Sequence, residues 1–179
     1  MKKYPATLVF LLILGSLAFA QITKHPVTKS SVTFQIKNLG INVGGSFSGL
    51  KADIDFDPAH PEAGSIEASI QANTVNTDNE TRDSHLKSDS YFDAEKYPEI
   101  KMKSVSFKHN GGDNYTGIFN LTIKDKTNQV QVPFTYTENS NDGLFKGTLK
   151  IKRSDYGVGS KSLVMANDVT ISIEVVTGK

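Results

Sequence analysis

Between two runs of alternating polar and apolar residues lies NETRDSHLKSDSYFDAEKYPEI, Asn79 to Ile100. It gathers Arg82, Asp83, His85 and several serines with Tyr91, Phe92 and Tyr97. Three kinds of chemistry are open to such a set. A hydrolase would activate a serine with His85 and an acid, and would hold that serine on a constrained turn. Ser84, Ser88 and Ser90 lie in no G-x-S-x-G pattern. A metal centre would need histidines at H-x-H or H-E-x-x-H spacing. His25, His60, His85 and His109 are scattered instead, and there is no cysteine.

The third chemistry is a ligand clamp. Arg82 carries a rigid fork of donors suited to an anionic or polar headgroup. His85 donates to a carbonyl or phosphate, and Tyr91 and Phe92 add apolar contact. Each has a plainer alternative. Arg82 would pair with Asp78 one helical turn earlier. His85 would hold the helix to its support, and the aromatics would plug one end of the fold. Tyr91 and Phe92 are adjacent on an irregular segment, so one should enter the interior while the other closes over the rim. Asp83, Asp93 and Asp155 read as turn caps or as partners of Arg82 and Arg153. The run GVGSKS has glycines but no P-loop pattern.

These residues need elements to position them. Thr77 and Glu80 have capping-box spacing, which predicts a helix start there, and Pro98 returns the chain to a strand. Around this segment the apolar period is two, the mark of strands with one wet face. Val32, Phe34 and Ile36 share a side, as do Ile54 and Phe56, Ile66 and Ile70, Phe119 and Leu121, Val132 and Phe134, and the strand holding Ile171. From Ile100 and Met102 to Val105 and Phe107 the apolar set slips by one, which predicts a bulge near Ser104. Pro133 has no amide proton and predicts an edge or an irregularity. A second irregular piece, GVGSKSLVMAND, is expected to hold a short helix at Ser162 to Ala166. About eight antiparallel strands result, laid out as a sandwich or as a closed barrel able to hold one small ligand.

The chain opens with MKK, an apolar run from Leu8 to Leu17, and Ala18-Phe19-Ala20. That is the pattern of a secretory signal peptide over residues 1–20, cut before Gln21. The domain is then 21–179, and the expected location is the periplasm or the outside of the cell. The apolar run is shorter than the ~20 residues that span a bilayer, so no integral membrane anchor is expected. Loss of Lys2 and Lys3 takes the formal charge from +1 to −1. A surface without a basic field argues against nucleic acid. Without cysteine, the core must hold without disulfides.

Four blocks together resemble the YceI-like, or polyisoprenoid-binding, family. HLKSDSYFDAEKYPEI resembles its N…R-D-x-H-L-(R/K)-S-x-x-(F/Y)-F-D signature and following proline, here Asn79 to Asp93 and Pro98. GIFNLTIKDKTNQVQVPFTY and IKRSDYGVG resemble two later blocks, and VTFQIKNLGINVGGSFSGLKADIDFD resembles the opening one. Asp125 stands where the family usually has glycine. The segment after Gly159 lacks the usual tryptophan, and the chain has none at all.

The resemblance implies an all-β, lipocalin-like barrel of eight antiparallel strands with one or two short helices near its ends. It implies an exported binding protein rather than an enzyme, with an isoprenoid or similar amphiphilic lipid inside. The ligand-binding set is then Arg82, His85, Tyr91 and Phe92 in the signature, with Phe34, Ile54, Ile70, Phe119, Leu121 and Phe134 along the wall and Tyr156 from the last block. No catalytic residue, metal ligand or cofactor is expected beyond the lipid itself, and a homodimer is compatible with the chain. Each buried methylene contributes ~0.8 kcal/mol, so an apolar tunnel alone binds a long tail tightly. The rivals are a fully packed barrel with a structural or stress role and, behind it, a hydrolase. A continuous cavity separates the first rival from a carrier.

Overall fold

The computed structural model describes residues 26–178. The signal peptide and its cleavage point lie outside the described residues. The alternating segments form β1 (Val27–Asn38), β2 (Ile41–Phe47), β3 (Lys51–Asp55), β4 (Ser65–Gln71), β5 (Glu99–Gly111), β6 (Asn114–Ile123), β7 (Lys126–Glu138), β8 (Asp142–Lys152) and β9 (Met165–Gly178). One α-helix, α1 (Glu80–Lys87), stands between β4 and β5. The strands make a single antiparallel sheet in the order β2-β1-β9-β8-β7-β6-β5-β4-β3, curled around one interior.

The described residues form nine strands where the pattern predicts eight, and the extra one has a local cause. β2 pairs with β1, and β3 pairs with β4. Only Ser48, Gly49 and Leu50 separate them, and Gly49 has φ 74°. A residue without Cβ takes that conformation easily. The chain therefore bends there, leaves one edge of the sheet and joins the other. The ring is not sealed by a ladder, as the closed form would require. Beside β2 the seam is taken by the chain after β4, where Ser46 and Asn76 exchange both backbone hydrogen bonds at 2.8 and 2.9 Å.

The predicted irregularities are present. The β5–β6 register shifts between Ser104 and Ser106, which leaves Val105 53% exposed while Phe107 turns inward. Pro133 marks the point where β7 stops pairing with β8, whose shared ladder begins at Phe134 and Gly147. Two local readings are corrected. The helix cap is Asn79, whose side chain accepts from the Arg82 amide at 2.9 Å, because Thr77 is buried and bound elsewhere. Ser162 to Ala166 is not helical. Met165 already begins β9, and the turn of helix lies earlier, a 3-10 turn at Arg153–Tyr156.

One end of the curl is solid. Phe56 is 1% exposed, and its ring centroid lies 5.1 to 5.8 Å from those of Phe107, Tyr115, Phe134, Tyr136 and Phe145. All five contacts are edge-to-face, the arrangement that ring quadrupoles favour. Each fully buried aromatic of this kind contributes about 1.5–3 kcal/mol through burial. This plug is the main core of the fold and the floor of what lies above it.

Candidate ligand-binding cavity

Above the aromatic floor the interior is hollow. A continuous cavity of about 590 Å³ is enclosed by the curled sheet and α1. That lies within the ~300–1,000 Å³ typical of small-molecule sites. Its wall is aliphatic and aromatic because every second residue of each strand faces inward. Phe34, Ile54, Ile70, Phe119, Leu121, Phe134 and Ile171 all reach it, as the alternation predicts. Arg82, His85, Tyr91, Phe92 and Tyr156 line it as well. All twelve of these residues, chosen from sequence, therefore stand on the cavity wall.

The signature segment enters from the seam. Phe92 meets Phe47 edge-on at 5.5 Å, and Phe47 in turn lies 5.6 Å from Phe34. Tyr91 also lines the cavity, with its ring close against Gly159. The expectation of one inward and one rim-closing ring is therefore replaced by two half-buried rings that both line the cavity. The Gly159 amide donates to the Ser90 carbonyl at 3.0 Å and ties this segment to the loop after the 3-10 turn.

Arg82 is partly buried and is held by Thr77, not by Asp78. Its Nε donates to the Thr77 hydroxyl and its Nη2 to the Thr77 carbonyl, both at 2.7 Å. The Thr77 hydroxyl donates to Asp83 Oδ1 at 2.6 Å, and the Thr77 amide donates to the same oxygen at 2.9 Å. Asp83 thus orients Arg82 through a buried threonine. His85 is exposed on the same helix and edges the cavity.

Phe47 and Arg153 are among the lining residues that sequence reasoning missed. Phe47 falls on the inward face of β2, at the same period as Val43, and the alternation would have found it. Arg153 is different. It is 6% exposed, and it donates to the carbonyls of Ala166 at 3.0 Å, Val158 at 3.0 Å and Ser160 at 2.8 Å. It organises a loop rather than pairing with a carboxylate, and no short-range spacing announces such a role. Burial also pushes the Tyr156 phenol up from its ordinary pKa. Among the described residues its hydroxyl has no hydrogen-bond partner.

The serines beside His85 serve the backbone. Ser84 donates to the Glu80 carbonyl at 2.9 Å, and Ser88 donates to the His85 carbonyl at 2.7 Å. Ser90 donates to Asp89 at 3.2 Å. None is bonded to the imidazole as a nucleophile would be. No cluster of three metal-ligating side chains occurs among the described residues.

A family model described as a YceI-like domain matches residues 24–177. A UPF0312 protein of Pseudomonas savastanoi pv. phaseolicola is 28% identical over the whole of both chains. The crystal structure of BcnA from Burkholderia cenocepacia superposes with a TM-score of 0.79 at 30% identity, covering 82% of this chain and 95% of that one. A polyisoprenoid-binding domain from Saccharophagus degradans shares the fold, with a TM-score of 0.65 at 13% identity over 87% of this chain and 97% of its own.

Proposed function

The chain belongs to the YceI-like family, and on that premise we propose that it is an exported protein that holds an isoprenoid or similar amphiphilic lipid inside the curled sheet. The observation that carries this reading is the continuous apolar cavity of about 590 Å³ above a filled aromatic floor. A packed structural barrel would have filled its whole interior. Here a cluster of rings fills one end, while Phe34, Phe47, Phe92 and Phe119 line a cavity that side chains leave open. The tail would lie against Phe119, Leu121, Ile70 and the Phe34–Phe47–Phe92 row, and the floor sets how deep it goes. At ~0.8 kcal/mol per buried methylene, a tail of a few isoprene units needs no polar anchor to bind well.

The head would emerge beside α1, where Arg82 and His85 supply donors. Binding, not catalysis, suits a site whose serines and histidine are not joined. The polyisoprenoid-binding domain of similar fold supports the choice of ligand class. The leader pattern of residues 1–20 supports export to the periplasm or beyond.

The test is native mass spectrometry of protein purified from its own host, followed by extraction and identification of any bound lipid. The expected result is a mass excess released by organic solvent as a prenyl or acyl lipid. A bare chain mass, together with no saturable uptake of dansyl-farnesol, would sink the proposal.

A further inference from the structure

Five large apolar side chains are prominently exposed among the described residues, and four of them cluster at the end opposite the aromatic floor. Leu39 is 71% exposed and Ile41 69%, both at the β1–β2 hairpin. Leu163 is 106% exposed and Val164 52%, in the loop that leads into β9. The two loops touch, because the Leu39 amide donates to the Val164 carbonyl at 2.8 Å. Isolated exposed leucines need no explanation, but a contiguous apolar patch does.

The patch is continuous with the cavity. Asn38 pairs with Met165 across β1 and β9, and both residues line the cavity directly beneath the exposed set. Ile41 sits two residues from Val43, on the same face of β2, and Val43 lines the cavity. Folding does not ask for these residues. Leu39 has φ 51° and Gly40 φ 79°, a two-residue turn that favours asparagine or glycine at both positions. A leucine there accepts backbone strain while its side chain faces water.

Charge is consistent with one kind of partner. No Asp or Glu occurs from residue 26 to 52, or from residue 156 to 167. Exposed Lys37 and Lys161 flank the two loops. Apolar side chains that project from two loops carrying Lys37 and Lys161 and no acid of their own fit the surface of an anionic bilayer.

We propose that Leu39, Ile41, Leu163 and Val164 dock the open end of the sheet onto a lipid surface, so that a tail passes between bilayer and cavity without crossing water. The transfer half of this statement rests on the lipid-binding reading above. The docking half stands on the patch alone.

The experiment is flotation with vesicles of phosphatidylethanolamine and phosphatidylglycerol, using protein purified in the form its host processes. Wild type and Val105→Ser should float, since Val105 is equally exposed but lies on the β5 bulge. Leu163→Ser with Val164→Ser, and Leu39→Ser, should lose roughly tenfold in partitioning for each side chain removed. Added salt should weaken binding further. Dansyl-farnesol uptake should be unchanged in these rim variants, which shows that they fold. The proposal is overturned if wild type does not float, or if Val105→Ser impairs flotation as much as the rim changes do. It is also overturned if light scattering finds a dimer that the rim variants dissolve while vesicles are ignored. Rim-dependent flotation without dansyl-farnesol uptake would leave docking standing and remove the cavity reading.

Discussion

Arg82, Thr77 and Asp83 form a relay in which a threonine, 6% exposed, stands between an acid and a base. Sequence spacing pointed to Asp78 because it considers only neighbours along the helix. Asp78 instead has φ 57° in the turn before the helix and donates its amide to the Asn76 side chain. Arg82→Ala removes two hydrogen bonds and leaves a buried hydroxyl and carbonyl short of a donor. It should cost about 1–2 kcal/mol, or roughly 2–8 °C in melting temperature. Arg82→Lys should recover only part, since an ammonium cannot reproduce the fork. With folding checked in this way, Arg82→Ala should weaken a charged-head lipid more than a neutral-head lipid of equal tail length. Phe92→Ala removes the ring that meets Phe47, and should weaken both by roughly tenfold. Lipid affinities equal to the parent's for both variants would make the segment a cover and not a clamp.

Strands and turns were more legible than contacts. The bulge at Val105 was readable because it breaks a period of two, and its consequence is geometric. Deleting Val105 restores a regular ladder, with Ser106 following Ser104 directly, and leaves Phe107 inward opposite Gly117, so its ring contacts with Phe56 and Phe119 at 5.6 Å are kept. Equilibrium unfolding should show the deletion variant folded, with a loss of no more than about 1 kcal/mol, and Val105→Thr should be near neutral. A deletion variant that does not fold would overturn this reading of the bulge. Gly45 was not legible in the same way. It lies opposite Phe34 across the β1–β2 ladder, and a Cβ there would overlap the Phe34 ring and come within 2.8 Å of Thr77 Cγ2. Gly45→Ala should therefore push Phe34 into the cavity. The expected readout is weaker dansyl-farnesol binding together with a lower melting temperature, and unchanged binding would mean that the ring has room to move elsewhere. The turn at Gly49 and the helix cap at Asn79 belong to the same class, because what decides them is which neighbour is already buried.

At the scale of the whole molecule, the solid end governs stability and the hollow end governs use. Tyr136 and Tyr115 stand in the floor. Burial first, and nearby carboxylates second, raise both phenols, that of Tyr136 to about 12. A tyrosine in the unfolded chain ionises near pH ~10. A group whose folded pKa is raised contributes stability that is fully present below the unfolded value and lost as pH rises through the folded one. Urea midpoints should therefore hold up to about pH 10 and fall between there and about pH 12. Tyr136→Phe should flatten part of that fall. A flat profile through this range would mean that the floor admits water. The start of the chain is tested separately. Mass analysis of released protein should find Gln21 at the N-terminus, and an intact Met1 would refute export by cleavage.

Alternation by itself determined most of the inner wall. It is a property of each strand, and one buried face suffices to write it into sequence. The order of the motifs was likewise enough to point to the family. Tertiary structure decided whether the interior was full. The volume enclosed by a curled sheet depends on curvature and stagger across many strands, and no single strand encodes either. Phe56 draws rings from β5, β6, β7 and β8 to one end, and this collective packing leaves the other end open. The seam was decided the same way, by a bend at Gly49 that sends β2 and β3 to opposite edges. So was the partner of Arg82, since a buried threonine becomes available only when the chain after β4 is laid against β2.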